Sequence, residues 1–207
     1  MQLSMKLYTH ALAPNPRRVR IFAAEKGIEL VLEDIDILAG QSRTPEFLAK
    51  NSSGGVPVLE LDDGSYLSES VAICRYLEGL HPEPNLLGRD LREQADIERW
   101  NRRMELELFA AIGRTVQNTS PIFQGRFKQF PEYGETQRTV VYQRLERMDR
   151  ELTDHEFVAS GRFTIADITA LVAIDIGVRL ADIKIEPELT HLTRWHGAVS
   201  SRPSASA

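Results

Sequence analysis

Segments with the pattern of β-strands are confined to the first third of this 207-residue chain. Short runs with strand character at 5–10, 29–37, 56–61 and 66–68 alternate with helical patterns at about 15–26, 44–50 and 68–80. Gly27 has the position of a glycine after the end of the first helix, Thr44 followed by Pro45 predicts the start of the second, and Ser68 is a plausible N-cap of the third. The predicted order is therefore β-α-β-α-β-β-α. A βαβ unit followed by a ββα unit forms a small mixed four-stranded sheet covered by helices, so the first 80 residues or so predict an α/β domain.

Beyond residue 90 the sequence shows helical patterns and no strand pattern. The segment at 161–176 is apolar nearly all round, which is typical of a helix buried inside a bundle. Two prolines at 82 and 84 indicate a linker between the two parts. The chain thus predicts an α/β domain over 1–80, a linker over 81–89 and an all-helical domain over 90–207.

Charge and cysteine content restrict the partners of the protein. The 25 lysines and arginines against 30 acids give a net charge of −5, which argues against nucleic acid or an anionic membrane as the main partner. The first ten residues lack the apolar core of a signal peptide, and no apolar run is long enough to span a bilayer, so we expect a cytoplasmic protein. The one cysteine, Cys74, excludes an internal disulfide and a metal site built on paired cysteines, and we expect no metal.

Three strings carry a resemblance to a known family: EKGIELVLEDIDI at 25–37, TPEFLAKNSSGGVPVLELDDGSYLSESVAICRYL at 44–77 and GRFTIADITALVAID at 161–175. Together with the domain order, they make the chain similar over its whole length to the glutathione transferase superfamily, and within it to bacterial cytosolic members. The resemblance implies a thioredoxin-like N-terminal domain that binds glutathione and a helical domain that contributes the second-substrate pocket. It also implies a homodimer.

The resemblance assigns glutathione contacts to five residues. It implies that the Val56-Pro57 bond is cis and that the backbone of Val56 pairs with the cysteine of glutathione as an added strand. Ser70, at a helix start, would bind the γ-glutamyl carboxylate together with free backbone N–H groups, and Glu69 would accept the ammonium. Arg43 would reach the glycine carboxylate.

Structural roles are the alternative explanation for these residues. A proline at a strand start, a serine that helps to cap a helix, an acid in the first helical turn and a solvated arginine are all common. Gly55 stands where family members often have Lys or Gln, so Arg43 or Lys50 must supply that contact or glutathione binds more weakly. Thr164 and Asp167 resemble the family's helix-start signature, which we interpret as a capping box without a catalytic role.

The turn HALAPNPRRVR at 10–20 would have to stabilise the thiol of glutathione. Many family members have Ser or Thr at the position of Ala13 and others have Cys in this turn, and neither is present here. Asn15 matches the asparagine of a subgroup with Thr-Pro-Asn, whose amide points at the sulfur. An Asn followed by Pro is also a good helix cap. Tyr8 and Thr9, on opposite faces of the preceding strand, are alternatives, as is a site with no side-chain donor.

We therefore predict a glutathione-dependent transferase in which Asn15 helps to activate the thiol for attack on a small hydrophobic electrophile. Disulfide reduction with glutathione and isomerisation with glutathione as cofactor stay open. A non-catalytic glutathione-binding or interaction protein on the same scaffold also stays open, and Ala13 and Gly55 favour it.

Overall fold

The computed structural model describes residues 5–159 and 161–207 and divides into two units. The first comprises the residues up to Asn85 together with Pro203–Ala207, and the second comprises Leu86–Arg202. The structure thus groups the last five residues with the first unit, whereas the sequence prediction has them in the segment 90–207. They pack on the first unit because Arg17 Nη2 donates to the carbonyl of Ala205 at 2.9 Å and the Ser204 hydroxyl donates to Glu25.

A mixed sheet with strand order β2-β1-β3-β4 forms the centre of the first unit. Its strands are β1 (Lys6–Thr9), β2 (Val31–Asp34), β3 (Val58–Glu60) and β4 (Tyr66–Ser68). β1 runs parallel to β2 and antiparallel to β3, and β4 runs antiparallel to β3. The predicted four-stranded sheet is confirmed. β2 is shorter than the predicted 29–37 because β1 offers only four residues for pairing.

Helices follow the strands in the predicted order, as α1 (Pro14–Glu25), α2 (Pro45–Lys50) and α3 (Ser70–Leu80). α1 ends just before Gly27, whose φ of 64° suits a glycine after a helix end. α2 begins after Thr44, whose hydroxyl accepts a hydrogen bond from the Phe47 N–H at 3.3 Å. Both helix signals were predicted from the sequence and are confirmed.

The two faces of the sheet bury different residues. α1 and α3 pack on each other, α1 packs on β1, and α3 packs on β3. Side chains alternate between the two faces of a strand, so Leu7 of β1 points to the face opposite Tyr8, which is the face that these two helices cover. On the other face Tyr8, Ile35, Phe47 and Val58 form a buried cluster under α2. One face of the sheet is therefore covered by α1 and α3, and the other face carries Tyr8 and is covered by α2.

The second unit contains helices and no strand among its described residues, 86–159 and 161–202. Its helices are α4 (Leu91–Arg103), α5 (Ala110–Thr119), α6 (Pro131–Glu151), α7 (Ile165–Ala181) and α8 (Thr190–Ser200), and a π-helical turn at Met104–Phe109 joins α4 to α5. α7 is buried along most of its length, as its apolar pattern predicts. Across the part of the chain that the structure describes, no helix is long and apolar enough to cross a membrane.

Asp167 organises the start of α7. Its carboxylate accepts from the Thr164 N–H at 2.9 Å, while the Thr164 hydroxyl accepts from the Ala166 N–H at 3.3 Å, and this confirms the predicted capping box. The same carboxylate accepts from the Val158 N–H at 2.8 Å and from Trp195 Nε1 at 2.9 Å, so it also joins α7 to α8. Burial raises the pKa of Asp167 to about 6.

This raised pKa makes stability depend on pH. An aspartate in an unfolded chain has a pKa near 3.9, so between about pH 4 and 6 the folded protein holds a proton that the unfolded chain has released. The stabilisation of the folded state by the proton on Asp167 is complete below about pH 4 and is lost as the pH rises through about 6. The difference between the free energies of unfolding of wild type and Asp167→Asn should fall by about 3 kcal/mol over this range in urea titrations. A difference that does not change with pH would contradict this account.

A buried lysine ties the end of α1 to the end of α3. The Lys26 side chain is fully buried, and its Nζ lies 2.6 Å from the Glu78 carboxylate. Nζ also donates to the carbonyls of His81 at 2.6 Å and Pro84 at 2.8 Å. One ammonium group thereby joins α1, α3 and the segment that follows α3.

Replacing this lysine should destabilise the fold strongly. Lys26→Met removes the ammonium group that lies 2.6 Å from Glu78, whose side chain is 12% exposed, and we expect a loss of about 3–5 kcal/mol in urea unfolding. The matched control is Lys6→Met, because Lys6 lies 3.2 Å from Glu33 with both side chains solvated. Its effect should stay below about 1 kcal/mol. Equal losses in the two variants would show that burial does not decide the strength of these pairs.

Candidate functional site

Strand register brings the predicted site residues to one end of the sheet. Tyr8 near the end of β1 pairs with Val58 at the start of β3, and Val58 pairs with Ser68 at the end of β4. α1 follows β1, the Val56-Pro57 bond precedes β3, and α3 follows β4. The segments that carry Asn15, Val56, Pro57, Glu69 and Ser70 therefore meet at this end.

The loop before β3 presents unpaired backbone. The Val56-Pro57 bond is cis, and the Asn51 side chain closes the loop by donating to the Gly55 carbonyl at 2.8 Å. Among the described residues, none forms a hydrogen bond with the N–H or the carbonyl of Val56. One N–H and one carbonyl are thus available beside β3 for an extended ligand.

Arg43 lies against the same loop. Its Nη1 donates to the Ser53 carbonyl at 2.9 Å, and a Cβ at Gly54, where φ is 64°, would lie only 2.6 Å from that nitrogen. The absent side chain of Gly54 thus lets the guanidinium cross the loop. Lys50, the other candidate, instead lies on Tyr66, with Nζ 3.3 Å from its hydroxyl and 5.0 Å from its ring centroid. Arg43 is therefore the cation at the loop that leads to Val56.

Glu69 adopts a strained backbone immediately before α3. Its φ of 70° and ψ of 112° cost a non-glycine residue about 1–3 kcal/mol, and such strain concentrates at functional sites. The prediction of Ser68 as N-cap is wrong because β4 extends through Ser68 and Glu69 takes the cap position, without a capping side-chain hydrogen bond. Among the residues that the structure describes, no side chain caps the first N–H groups of α3, and Glu69 is exposed.

The hydroxyl of Ser70 is held from inside the fold. Its Oγ accepts a hydrogen bond from Arg18 Nη1 at 2.8 Å, and both residues are buried. No motif in the sequence marks Arg18 as part of the site. The available signal was its spacing, because Arg18 precedes Phe22 by four residues and so shares the buried face of α1.

Asn15 lies inside the first turn of α1 and does not cap it. The N-cap is Ala13, which has no capping side chain, and Pro14 is the first helical residue, where its fixed φ is favourable. The interpretation of Asn15 as a helix cap is therefore wrong. Its side chain is exposed and forms no hydrogen bond with any residue that the structure describes.

Prolines leave α1 with few backbone donors at its start. Pro14 and Pro16 have no N–H, and the Arg17 N–H donates to the Ala13 carbonyl at 3.3 Å. Asn15 therefore supplies the available backbone N–H of this turn as well as a side-chain amide. This turn contains no Ser, Thr or Cys, and Asn15 carries two hydrogen-bond donors there.

The alternatives in β1 have hydroxyls engaged elsewhere. Tyr8 donates to Glu60 at 2.6 Å on the face under α2, and burial, reinforced by Glu60, raises the pKa of Tyr8. Thr9 is buried and its oxygen accepts from Arg20 Nη1 at 2.7 Å. Asn15 is thus the exposed side-chain amide at this turn.

The fold excludes Cys74 as a nucleophile. It is buried in α3, and burial raises the pKa of its thiol to about 12. Among the residues that the structure describes, no group of three or more His, Cys, Asp and Glu side chains could hold a metal ion.

Comparison with known proteins decides the family. Residues 13–80 match the family model described as "Glutathione S-transferase, N-terminal domain", and residues 103–203 match "Glutathione S-transferase, C-terminal domain". The chain belongs to the glutathione S-transferase superfamily. This confirms the predicted family, and the sheet and helices described above confirm the predicted fold class.

Members of the superfamily align over nearly the whole chain. "Glutathione S-transferase 2" of Saccharomyces cerevisiae is 34% identical, covering 99% of this chain and 89% of its own length. The human "Glutathione S-transferase theta-2B" is 31% identical, covering 96% of this chain and 82% of its own length. The crystal structure of a glutathione S-transferase domain-containing protein from Marinobacter aquaeolei VT8 matches with a TM-score of 0.90 and 37% identity, covering 96% of this chain and 98% of that one.

The position of Asn15 predicts that it contributes little to stability. Asn15→Ala removes no hydrogen bond of the fold and should change the free energy of unfolding by less than about 0.5 kcal/mol in urea titrations. Thr44→Ala is the control, because it removes the cap of α2 and should cost about 1 kcal/mol. A loss of similar size in Asn15→Ala would show that Asn15 stabilises the helix after all.

Proposed function

We propose that this protein binds glutathione at the end of the sheet described above and activates its thiol for attack on a small hydrophobic electrophile. Relatives named glutathione S-transferase, 31–34% identical over 96–99% of the chain, confirm the predicted enzyme class and glutathione as its co-substrate. The assignment of residues rests chiefly on the unpaired backbone of Val56 beside the start of α3.

Backbone pairing with Val56 orients the tripeptide. The cysteine residue of glutathione forms two hydrogen bonds with the N–H and carbonyl of Val56, as an added strand would. Its γ-glutamyl end then lies at the start of α3, where Ser70 and the free N–H groups bind the carboxylate and Glu69 accepts the ammonium. The glycine carboxylate lies at the loop that Arg43 crosses, and Arg43 replaces the contact that Gly55 lacks.

Asn15 stabilises the thiolate. A free thiol has a pKa near 8.5, and lowering it by about two units requires about 2.7 kcal/mol. One hydrogen bond to a charged group contributes about 1.5–3 kcal/mol, and a helix N-terminus adds about 0.3–1 kcal/mol. The side-chain amide of Asn15 and the start of α1 can together supply this free energy, so the missing hydroxyl at Ala13 does not prevent activation.

Further properties follow from the resemblance alone. We propose that the helical domain contributes the pocket for the second substrate, that the protein is a homodimer and that it acts in the cytoplasm. The turn around Asn15 is similar to that of the Thr-Pro-Asn subgroup, although Ala13 replaces the threonine.

Asn15→Ala should change the pH profile of catalysis more than it changes glutathione binding. Loss of the amide raises the pKa of the bound thiol by about 1–2 units, so conjugation of an aromatic halide should fall by about 10- to 100-fold near pH 6.5 and by much less near pH 9. The thermal shift produced by glutathione should stay close to that of wild type, because the backbone of Val56 and the start of α3 remain.

A small disulfide substrate, assayed in parallel, separates the alternatives. Turnover of the disulfide but not of the halide would assign glutathione-dependent disulfide reduction. Binding of glutathione with turnover of neither would contradict the enzyme and leave a glutathione-binding protein. A pH profile unchanged in Asn15→Ala would remove Asn15 from the stabilisation of the thiolate.

A further inference from the structure

We propose that Arg18 is a positioning residue for the γ-glutamyl carboxylate of the ligand and acts through the hydroxyl of Ser70. The inference rests on the proposed function, because it concerns the same end of the bound tripeptide. Arg18 lies behind the site and does not contact the ligand itself.

The geometry of the pair connects two helices at the site. Arg18 is fully buried in α1, at 0% exposure, and Ser70, the first residue of α3, is 6% exposed. Nη1 of Arg18 lies 2.8 Å from Oγ of Ser70. Burial of a guanidinium is unfavourable unless polar partners compensate for the lost hydration, and the hydroxyl of Ser70 is one such partner.

Hydrogen-bond chemistry then determines where the Ser70 proton points. A guanidinium can only donate, so Oγ of Ser70 accepts from Arg18 and its own proton is directed elsewhere. At the first position of α3 the uncapped backbone N–H groups are also available. Arg18 thereby keeps the hydroxyl as a donor alongside these N–H groups, and such a set of donors suits a carboxylate.

The charge of Arg18 acts in the same direction. A guanidinium is ionised at neutral pH because its pKa is about 12 or higher. Its charge acts more strongly on neighbouring groups in a protein than in bulk water, because the effective dielectric constant is lower. Two charges act on the buried Cys74 thiol of α3, whose pKa burial raises to about 12: the charge of Arg18 lowers this pKa, and the charge of Glu78 near the end of α3 raises it. Arg18 therefore places a positive charge under the first turn of α3, in addition to the helix dipole.

The pair predicts selectivity for the ligand. A γ-glutamyl peptide with a free α-carboxylate benefits from both the hydroxyl and the charge, whereas a thiol peptide without that carboxylate benefits from neither. Arg18 should therefore contribute to discrimination between such ligands, and removal of Arg18 and of the Ser70 hydroxyl should have overlapping effects.

Titration calorimetry with two ligands tests this directly. The first ligand is glutathione, and the second is 4-aminobutanoyl-cysteinyl-glycine, which lacks only the α-carboxylate. Arg18→Met and Ser70→Ala should each reduce the preference for glutathione by about tenfold or more, the effect of one hydrogen bond to a charged group. The double variant should lose little more than the larger single effect. In kinetics, KM for glutathione should rise while kcat at saturating glutathione changes little.

Arg20→Met is the matched control. Arg20 also lies in α1 and donates to a hydroxyl, that of Thr9 at 2.7 Å, but it does not hydrogen-bond to α3. Its substitution should leave the ratio of the two affinities unchanged. A comparable loss of preference in Arg20→Met would overturn the proposal, because any disturbance of α1 would then have the same effect.

The remaining outcomes separate this inference from the proposed function. If Arg18→Met does not fold, Arg18→Lys and Arg18→Gln replace it. The lysine variant keeps the positive charge and should prefer glutathione over 4-aminobutanoyl-cysteinyl-glycine clearly more than the glutamine variant does. Equal preferences in the two variants would overturn the inference. A wild type that binds neither ligand would contradict the proposed function itself. A wild type that prefers glutathione, with the same preference in Arg18→Met, would overturn only the role of Arg18.

Discussion

The site depends on the pairing of β3 with both β1 and β4. This pairing aligns Tyr8, Val58 and Ser68 across three strands, so the end of β1, the start of β3 and the end of β4 lie side by side. The groups proposed to bind glutathione lie together for this reason: the turn into α1, the unpaired backbone before β3 and the start of α3 meet at one end of the sheet. A slip of one residue in this register would move these side chains to the opposite face of the sheet.

A common feature of this end of the sheet is that backbone groups are left available. The N–H and carbonyl of Val56 have no partner among the described residues, α3 starts without a capping side chain, and α1 starts with prolines on either side of Asn15. Glu69 additionally holds a strained φ of 70°. A fold optimised for stability alone would cap these helices and relax Glu69. Retaining the open groups is consistent with a surface that must bind a peptide.

Local chemistry explains which elements the sequence predicts well. Thr44 with Pro45, Gly27, and Thr164 with Asp167 act on their own helices through short-range bonds, so their roles can be predicted without a fold. The caps at Asn15 and Ser68 were predicted by the same rules and are wrong. At Asn15 a preceding proline had already started the helix, and at Ser68 pairing with β3 extended the strand. In both cases a competing interaction outweighed a weak local preference.

The sequence by itself determined the order of elements and the family, and it was enough to propose the glutathione contacts, because these depend on local pattern and on strings of adjacent residues. Only the tertiary structure decided that Arg18 supports Ser70, that Arg43 rather than Lys50 lies on the loop before Val56, and that Tyr8 and Thr9 are engaged elsewhere. It also decided that Pro203–Ala207 return to the first unit. The physical reason is distance along the chain. Arg18 and Ser70 are 52 residues apart, and a hydrogen bond between them exists only once α1 and α3 have packed together.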